Sequence, residues 1–96
     1  MTEYRISITS SAKRAAKKLP DRVRSEAVNK SLFLRNNPYL GEKLTGSIHF
    51  LHSLHFKSKN VQYRIAYTIN SKEKLVIVHL VGPRENFYKK LRRLFK

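Results

Sequence analysis

Three histidines recur at a spacing of three, His49, His52 and His55. On a helix they would share one face and could hold a metal. The Phe and Leu parity around them, from Ile48 through Phe50 and Leu54 to Phe56, predicts a strand instead. Alternation then sets His52 opposite the other two, and a rise of about 3.3 Å per residue separates His49 from His55 by roughly 20 Å. No shared metal is expected, and no motif calls for a cofactor or a small-molecule ligand. His79 lies in a run apolar on both sides, and it and His52 read as hydrogen-bonded core histidines. His55 differs, because its parity also carries Ser53 and Lys57 and a hairpin with the next segment would bring Arg64 to the same face. Cations around an imidazole disfavour its protonated form, which leaves a neutral base near pH 7. The competing reading is the solvated side of a half-exposed sheet.

Arg84 and Tyr88 form a second pair. Four apart at the start of a predicted last helix, they would share a face distinct from the Phe87, Leu91 and Leu94 stripe. A guanidinium grips a phosphate at two points and a phenol ring stacks on a base, so the pair suits RNA. The alternative is a surface helix whose tyrosine only covers a sheet edge.

The elements that must position these groups follow from periodicity. Tyr4, Ile6 and Ile8 alternate as a first strand. Ser10 or Ser11 caps a helix with Ala12, Ala15, Ala16 and Leu19 inward, ended by Pro20. Asp21 caps a second, whose stripe is Val23, Ala27 and Leu34 with Val28 and Leu32 beside it, and Asn36-Asn37-Pro38 stops it. Residues 41–46 read as a loop. Strands follow from Ile48 to Lys57, across a turn at Ser58-Lys59-Asn60 to Val61 through Ile69, and, after another turn, along Leu75 to Val81. Tyr63, Ile65, Tyr67 and Ile69 face the core. Gly82-Pro83 precedes a helix from Arg84 to Phe95 with Phe87, Leu91, Leu94 and Phe95 inward. The order is β-α-α-β-β-β-α, an α+β fold in one domain spanning 1–96.

With 21 Lys+Arg against 6 Asp+Glu, the 96 residues carry a formal charge of +15. Such a field draws polyanions, so nucleic acid or a ribonucleoprotein is the expected partner ahead of an anionic membrane. Five Tyr and five Phe in a chain 41% hydrophobic imply a folded core, not a disordered basic tail. No Cys excludes disulfides and thiolate chemistry. No apolar run spans a membrane, and Met1-Thr2-Glu3-Tyr4 lacks a leader's charged-then-apolar opening. A cytoplasmic location is expected.

Taken together, certain segments resemble the RelE/ParE superfamily of toxins from toxin–antitoxin pairs, nearly end to end. They are Tyr4-Arg5-Ile6, Ala12 with Lys17, Leu19 and Pro20, Asn37-Pro38, Lys43-Leu44-Thr45-Gly46, Tyr63-Arg64-Ile65-Ala66-Tyr67 and Val81 through Tyr88. The resemblance implies a small curved antiparallel sheet with an N-terminal helical hairpin on one side, a concave basic face on the other and a C-terminal helix. It also implies one of two activities, cleavage of mRNA in the ribosomal A site or poisoning of DNA gyrase; a non-catalytic nucleic-acid-binding module is the third reading. For the RelE-like endoribonuclease the matching positions are His55, Arg64, Arg84 and Tyr88. Lys57, Lys59 and Ser53 would meet RNA beside them, and Lys13, Arg14, Lys17, Lys18, Arg22 and Arg24 would meet ribosomal RNA. The sequence departs from the best-known members at Ser53 and His55, where they carry two lysines, which leaves the proton acceptor open. A cognate acidic antitoxin and the ribosome with bound mRNA are the implied partners.

Overall fold

The computed structural model describes residues 3–96, so Met1 and Thr2, part of the opening read above for a leader, lie outside the described residues. The elements are β1 (Arg5–Ile8), α1 (Ser10–Lys17), α2 (Asp21–Leu32), a two-residue β2 (Glu42–Lys43), β3 (His52–Ser58), β4 (Val61–Asn70), β5 (Leu75–Pro83) and α3 (Phe87–Leu94). Apart from the short β2, which lies inside the expected 41–46 loop, the order is the one the periodicity predicts.

The strands form one open, curved sheet in the order β1-β5-β4-β3-β2. From β2 to β5 every pairing is antiparallel, as expected, but β1 runs parallel to β5, with Ile6 opposite Val76. Most of the chain separates these two strands, so no tight hairpin imposes the antiparallel sense on them.

Helices pack on both faces of the sheet. The α1–α2 hairpin packs Ala12, Val23, Ala27 and, just past α2, Leu34 onto Leu54, Phe56, Tyr63, Ile65, Tyr67, Val76 and Val78. On the opposite face α3 brings Phe87 and Leu91 onto Ala66 and Leu80, joined by Ile48 and Leu51. This second core is smaller, and it roofs only part of the face that carries His55 and Arg64.

β5 serves both cores because its alternation is reset once. Ala66 pairs with Leu80 and Tyr67 with Val78, so His79 is an extra residue, a β-bulge. Val76 and Val78 point to the hairpin, and beyond the bulge Leu80 points to α3 while Val81 returns to the hairpin side.

Several local expectations change. Thr9, not Ser10 or Ser11, caps α1, its Oγ1 accepting the Ala12 N–H at 3.1 Å. Pro20 rather than Asp21 precedes α2, because the ring's fixed φ of −56° suits the residue entering a helix, and Asp21 becomes the first helical residue. Val28 and Leu32 flank the α2 stripe but stay exposed. Residues Gly46–Ile48 form a 3-10 turn, so the third strand begins at His52, four residues later than expected. Gly46, at φ 71°, opens that turn in a conformation glycine adopts freely. Ile48 is buried against the α3 side instead of sharing the Leu54 and Phe56 face, while Phe50 is exposed. The last helix starts at Phe87, because Asn86 sits in the left-handed region at φ 59°, and Leu94 and Phe95 are more exposed than their spacing suggests.

Candidate active site

β3 and β4 are joined by a two-residue turn, Lys59-Asn60, with both residues at positive φ, the geometry that matches the twist of a hairpin. That turn fixes the register, and the register sets His55 directly opposite Arg64. Arg64 Nη1 lies 2.7 Å from His55 Nε2 and 2.6 Å from the hydroxyl of Tyr88 on α3. Its guanidinium carbon also stands 5.0 Å from the centre of the Tyr88 ring. Three of the four residues expected to do chemistry therefore meet at one point.

An arginine has no lone pair to offer, so Nε2 of His55 is the acceptor here and carries no proton. Partial burial and, after it, the Arg64 guanidinium hold this imidazole below its ordinary range, while Glu42 pulls the other way. The Glu42 carboxylate lies 3.8 Å from the same Nε2. Arg64 Nε is buried without a hydrogen-bond partner among the described residues. A guanidinium with one unsatisfied edge and two neutral partners keeps its full charge available to an anion.

The fourth, Arg84, is placed by its backbone. Its N–H donates to the Gln62 carbonyl at 2.8 Å, one pleat along from the pairing of Arg64 with Gly82. It precedes the turn at Asn86 and lies outside α3, so it does not share a helix face with Tyr88 as expected. Arg84 and Gln62 line a shallow depression of about 540 Å³, and Glu42, Lys43, Tyr88 and Arg92 line a cleft of about 210 Å³. Lys57 is exposed on the His55 face and Lys59 at the hairpin tip. Ser53 is not a surface group: at 1% exposure it is sealed beneath the site, which removes it from the RNA-facing set.

The helical cations divide. Arg24 donates to the Ala16 and Leu19 carbonyls and pairs with Asp21, so it ties α1 to α2 instead of facing a ligand. Arg22 is held by Glu26 at 3.4 Å. Lys13, Arg14, Lys17 and Lys18 remain exposed, and Arg14 and Lys18 join Lys90 of α3 around a cleft of about 570 Å³. None of His55, Arg64 and Tyr88 lines this cleft.

The other histidines separate as well. His49 follows the 3-10 turn, its Nδ1 3.1 Å from the Gly46 carbonyl, and is not on a strand. His52 stacks on Tyr67, with ring centroids 5.5 Å apart, and its buried Nδ1 has no partner among the described residues, unlike the hydrogen-bonded core histidine expected. His79 does find its partner, Thr68 Oγ1 at 2.9 Å.

Periodicity missed Glu42 and Arg92. A strand of two residues is too short to show alternation, and Arg92 read as one of several outward cations on the last helix.

A family model described as the ParE-like toxin of type II bacterial toxin-antitoxin systems matches residues 6–92. The chain belongs to this toxin family. No curated protein matches it. Among solved structures, the toxin is similar to a chain of the toxin–antitoxin complex RelBE2 from Mycobacterium tuberculosis, at 26% identity and TM-score 0.78, covering 88% of this chain and 94% of that one. A variant of the Escherichia coli toxin RelE in the free state superposes with TM-score 0.75 at 20% identity, covering 98% and 99%. The archaeal RelE-RelB complex from Pyrococcus horikoshii gives TM-score 0.59 at 23% identity, covering 88% and 98%. The toxin thus has the RelE-like fold, and no described helix is long and apolar enough to cross a membrane.

Proposed function

We propose that this toxin is a ribosome-dependent endoribonuclease of the RelE type, a single domain that acts in the cytoplasm, cuts mRNA without a metal and is neutralised by an acidic antitoxin. The observation that carries this reading is the cluster of His55, Arg64 and Tyr88 on an open cationic face. Cleavage needs the 2′-hydroxyl deprotonated, the phosphorane-like transition state neutralised and the leaving oxygen stabilised. His55 Nε2 takes the 2′-hydroxyl proton. The 2′-oxygen attacks phosphorus with the freed electron pair, the bond to the 5′-oxygen breaks, and that oxygen takes a proton from solvent, leaving a 2′,3′-cyclic phosphate and a 5′-hydroxyl.

Arg64 turns from Nε2 to the phosphate as substrate enters, which uncovers the base at the moment the anion arrives. Arg84 adds charge from the adjacent pleat and stands nearest the role of donor to the 5′-oxygen, although its high pKa makes it a poor acid. Tyr88 stacks a base and splays the backbone toward in-line geometry. Lys57 and Lys59 hold flanking phosphates, and Lys13, Arg14, Lys17 and Lys18 meet ribosomal RNA. The antitoxin reading is supported by the RelE relatives having been solved in complex with RelB.

The test is primer extension on translated mRNA from cells expressing the wild type, His55→Ala, Arg64→Ala or Arg84→Ala. Cuts in the wild type that fade in each variant are expected. Variants that all cut like the wild type would disprove the site. Growth arrest with intact mRNA and accumulating double-strand DNA breaks would replace the nuclease with a gyrase poison.

A further inference from the structure

Two groups of opposite charge claim one atom. Arg64 Nη1 is 2.7 Å from His55 Nε2, and Glu42 Oε1 is 3.8 Å from it. Nε2 offers a lone pair when the ring is neutral and a proton when it is charged, so no single protonation state satisfies both neighbours. Neutral His55 accepts from Arg64 and has nothing for a carboxylate. Charged His55 repels the guanidinium and attracts Glu42, which can accept the Nε2 proton on closing from 3.8 Å.

The surroundings make Glu42 the sole acid in this contest among the described residues. His55 shares its face with Lys57 on its own strand, Arg64 on β4 and Glu42 on β2, while Lys43 pairs with His52 on the other parity; on α3 Tyr88 meets Arg64, and Arg92 lines a cleft with Tyr88 and Glu42. The carboxylate is also built into place. Gly41, just before it, donates its N–H to the Tyr67 hydroxyl at 2.9 Å, and that hydroxyl donates to the Pro38 carbonyl at 2.8 Å. A Cβ on Gly41 would stand 2.5 Å from the Tyr67 oxygen and 2.9 Å from the Ser53 carbonyl. Only glycine lets β2 lie this close to β3 and Tyr67. Glu42 itself pairs with Ser53, two residues from His55 on the same face of β3.

We propose that Glu42 is a positioning residue that captures the protonated imidazole of His55 and so keeps Arg64 on the substrate phosphate once the base has done its work. The proposal rests on the nuclease reading above. The proton on Nε2 is the one that leaves the 2′-hydroxyl, and capture by Glu42 exchanges hydrogen-bond partners without breaking a further covalent bond. After product leaves and the imidazole returns its proton to solvent, Arg64 swings back and re-forms the resting cluster.

The experiment has two arms on the full chain. In the first, the His55 ring is titrated by NMR in the wild type, Glu42→Gln and Tyr67→Phe. For an exposed pair the midpoint should fall by about half a pH unit in Glu42→Gln. Tyr67→Phe, which leaves every group of the site intact but loosens Gly41, should move it the same way by less. In the second arm, the pH dependence of mRNA cleavage on translating ribosomes is followed. The acid limb of the Glu42→Gln profile should move to lower pH with the ring, and the rate at neutral pH should fall, with Glu42→Asp recovering part of it. An unchanged midpoint in Glu42→Gln with cleavage intact overturns the proposal and leaves the nuclease reading standing. A wild type that cuts no RNA overturns the nuclease reading, and the titration, which needs no substrate, still decides whether Glu42 holds the charged ring.

Discussion

On the hairpin layer Arg24 spends its guanidinium on the carbonyls of Ala16 and Leu19 and on Asp21, and Arg22 is held by Glu26. Across the sheet Arg64 is held by an imidazole and a phenol, and its Nε has no partner among the described residues. Both sets of contacts satisfy geometry, but they differ in what they leave over. Carboxylates at short range neutralise a guanidinium, and backbone carbonyls occupy its remaining donors, so the group is committed to the fold. Neutral acceptors orient it and leave its charge to be claimed by an anion. The number of cations in the sequence therefore says less about function than the partners each one has.

The largest effect that would break this contrast is loss of Arg64. Arg64→Ala should lower mRNA cleavage by about 10²- to 10³-fold while the fold persists. Arg24→Ala should leave cleavage near wild type and cost roughly 1 kcal/mol in urea denaturation. Equal losses of cleavage in both variants would erase the distinction.

The second core sharpens it next. Leu91 is fully buried between α3 and the sheet, so Leu91→Ala should cost about 2–5 kcal/mol of unfolding free energy. Cleavage should also fall, because α3 carries Tyr88, and urea melts beside cleavage assays separate the two.

A smaller change is expected from the exposed α1 cations. Replacing Lys13 and Lys17 together by Ala should weaken binding to ribosomes modestly and flatten its salt dependence by roughly one slope unit for each phosphate no longer neutralised. The cleavage products should be unaltered, which binding isotherms at several salt concentrations and primer extension would reveal.

The smallest effect is on stability against pH. Burial leads in holding His52, His55 and His79 below their ordinary range, so the unfolded chain binds protons that the folded chain refuses. Stability is then complete above the ordinary histidine pKa of about 6.5 and is lost as pH falls from there toward the depressed folded values. The thermal midpoint should decline by a few degrees between about pH 7.5 and 5. A midpoint that rises on acidification would contradict the burial of these rings.

Where a segment is long and regular, the chain declared its structure. Tyr63, Ile65 and Tyr67 alternate along a ten-residue strand and point to the core as expected. Parity placed His55 and Arg64 on one face, but their direct pairing was set by a turn of two residues, Lys59-Asn60, where the sequence suggested Ser58-Lys59-Asn60. What stayed hidden depends on contacts distant in sequence or on single backbone angles. Ser53 has the parity of His55 but lies under it, because α3, β2 and the 3-10 turn close over that end of the sheet. Arg84 left the helix because Asn86 takes a left-handed angle that nothing in the periodicity of Phe87 and Leu91 reveals. His52 kept its place on a strand, but a stacking partner, Tyr67, stands where a hydrogen bond was expected.

The extra residue at His79 reaches further than its own neighbourhood. Were β5 to run in plain two-residue phase from Val76, Leu80, Gly82 and Arg84 would all emerge beneath the hairpin, and the chain would deliver its C-terminal segment to the wrong side of the molecule. One backbone irregularity thus works as a phase shifter: it decides, some five residues upstream of Arg84, which hemisphere receives that arginine and Tyr88 beyond it.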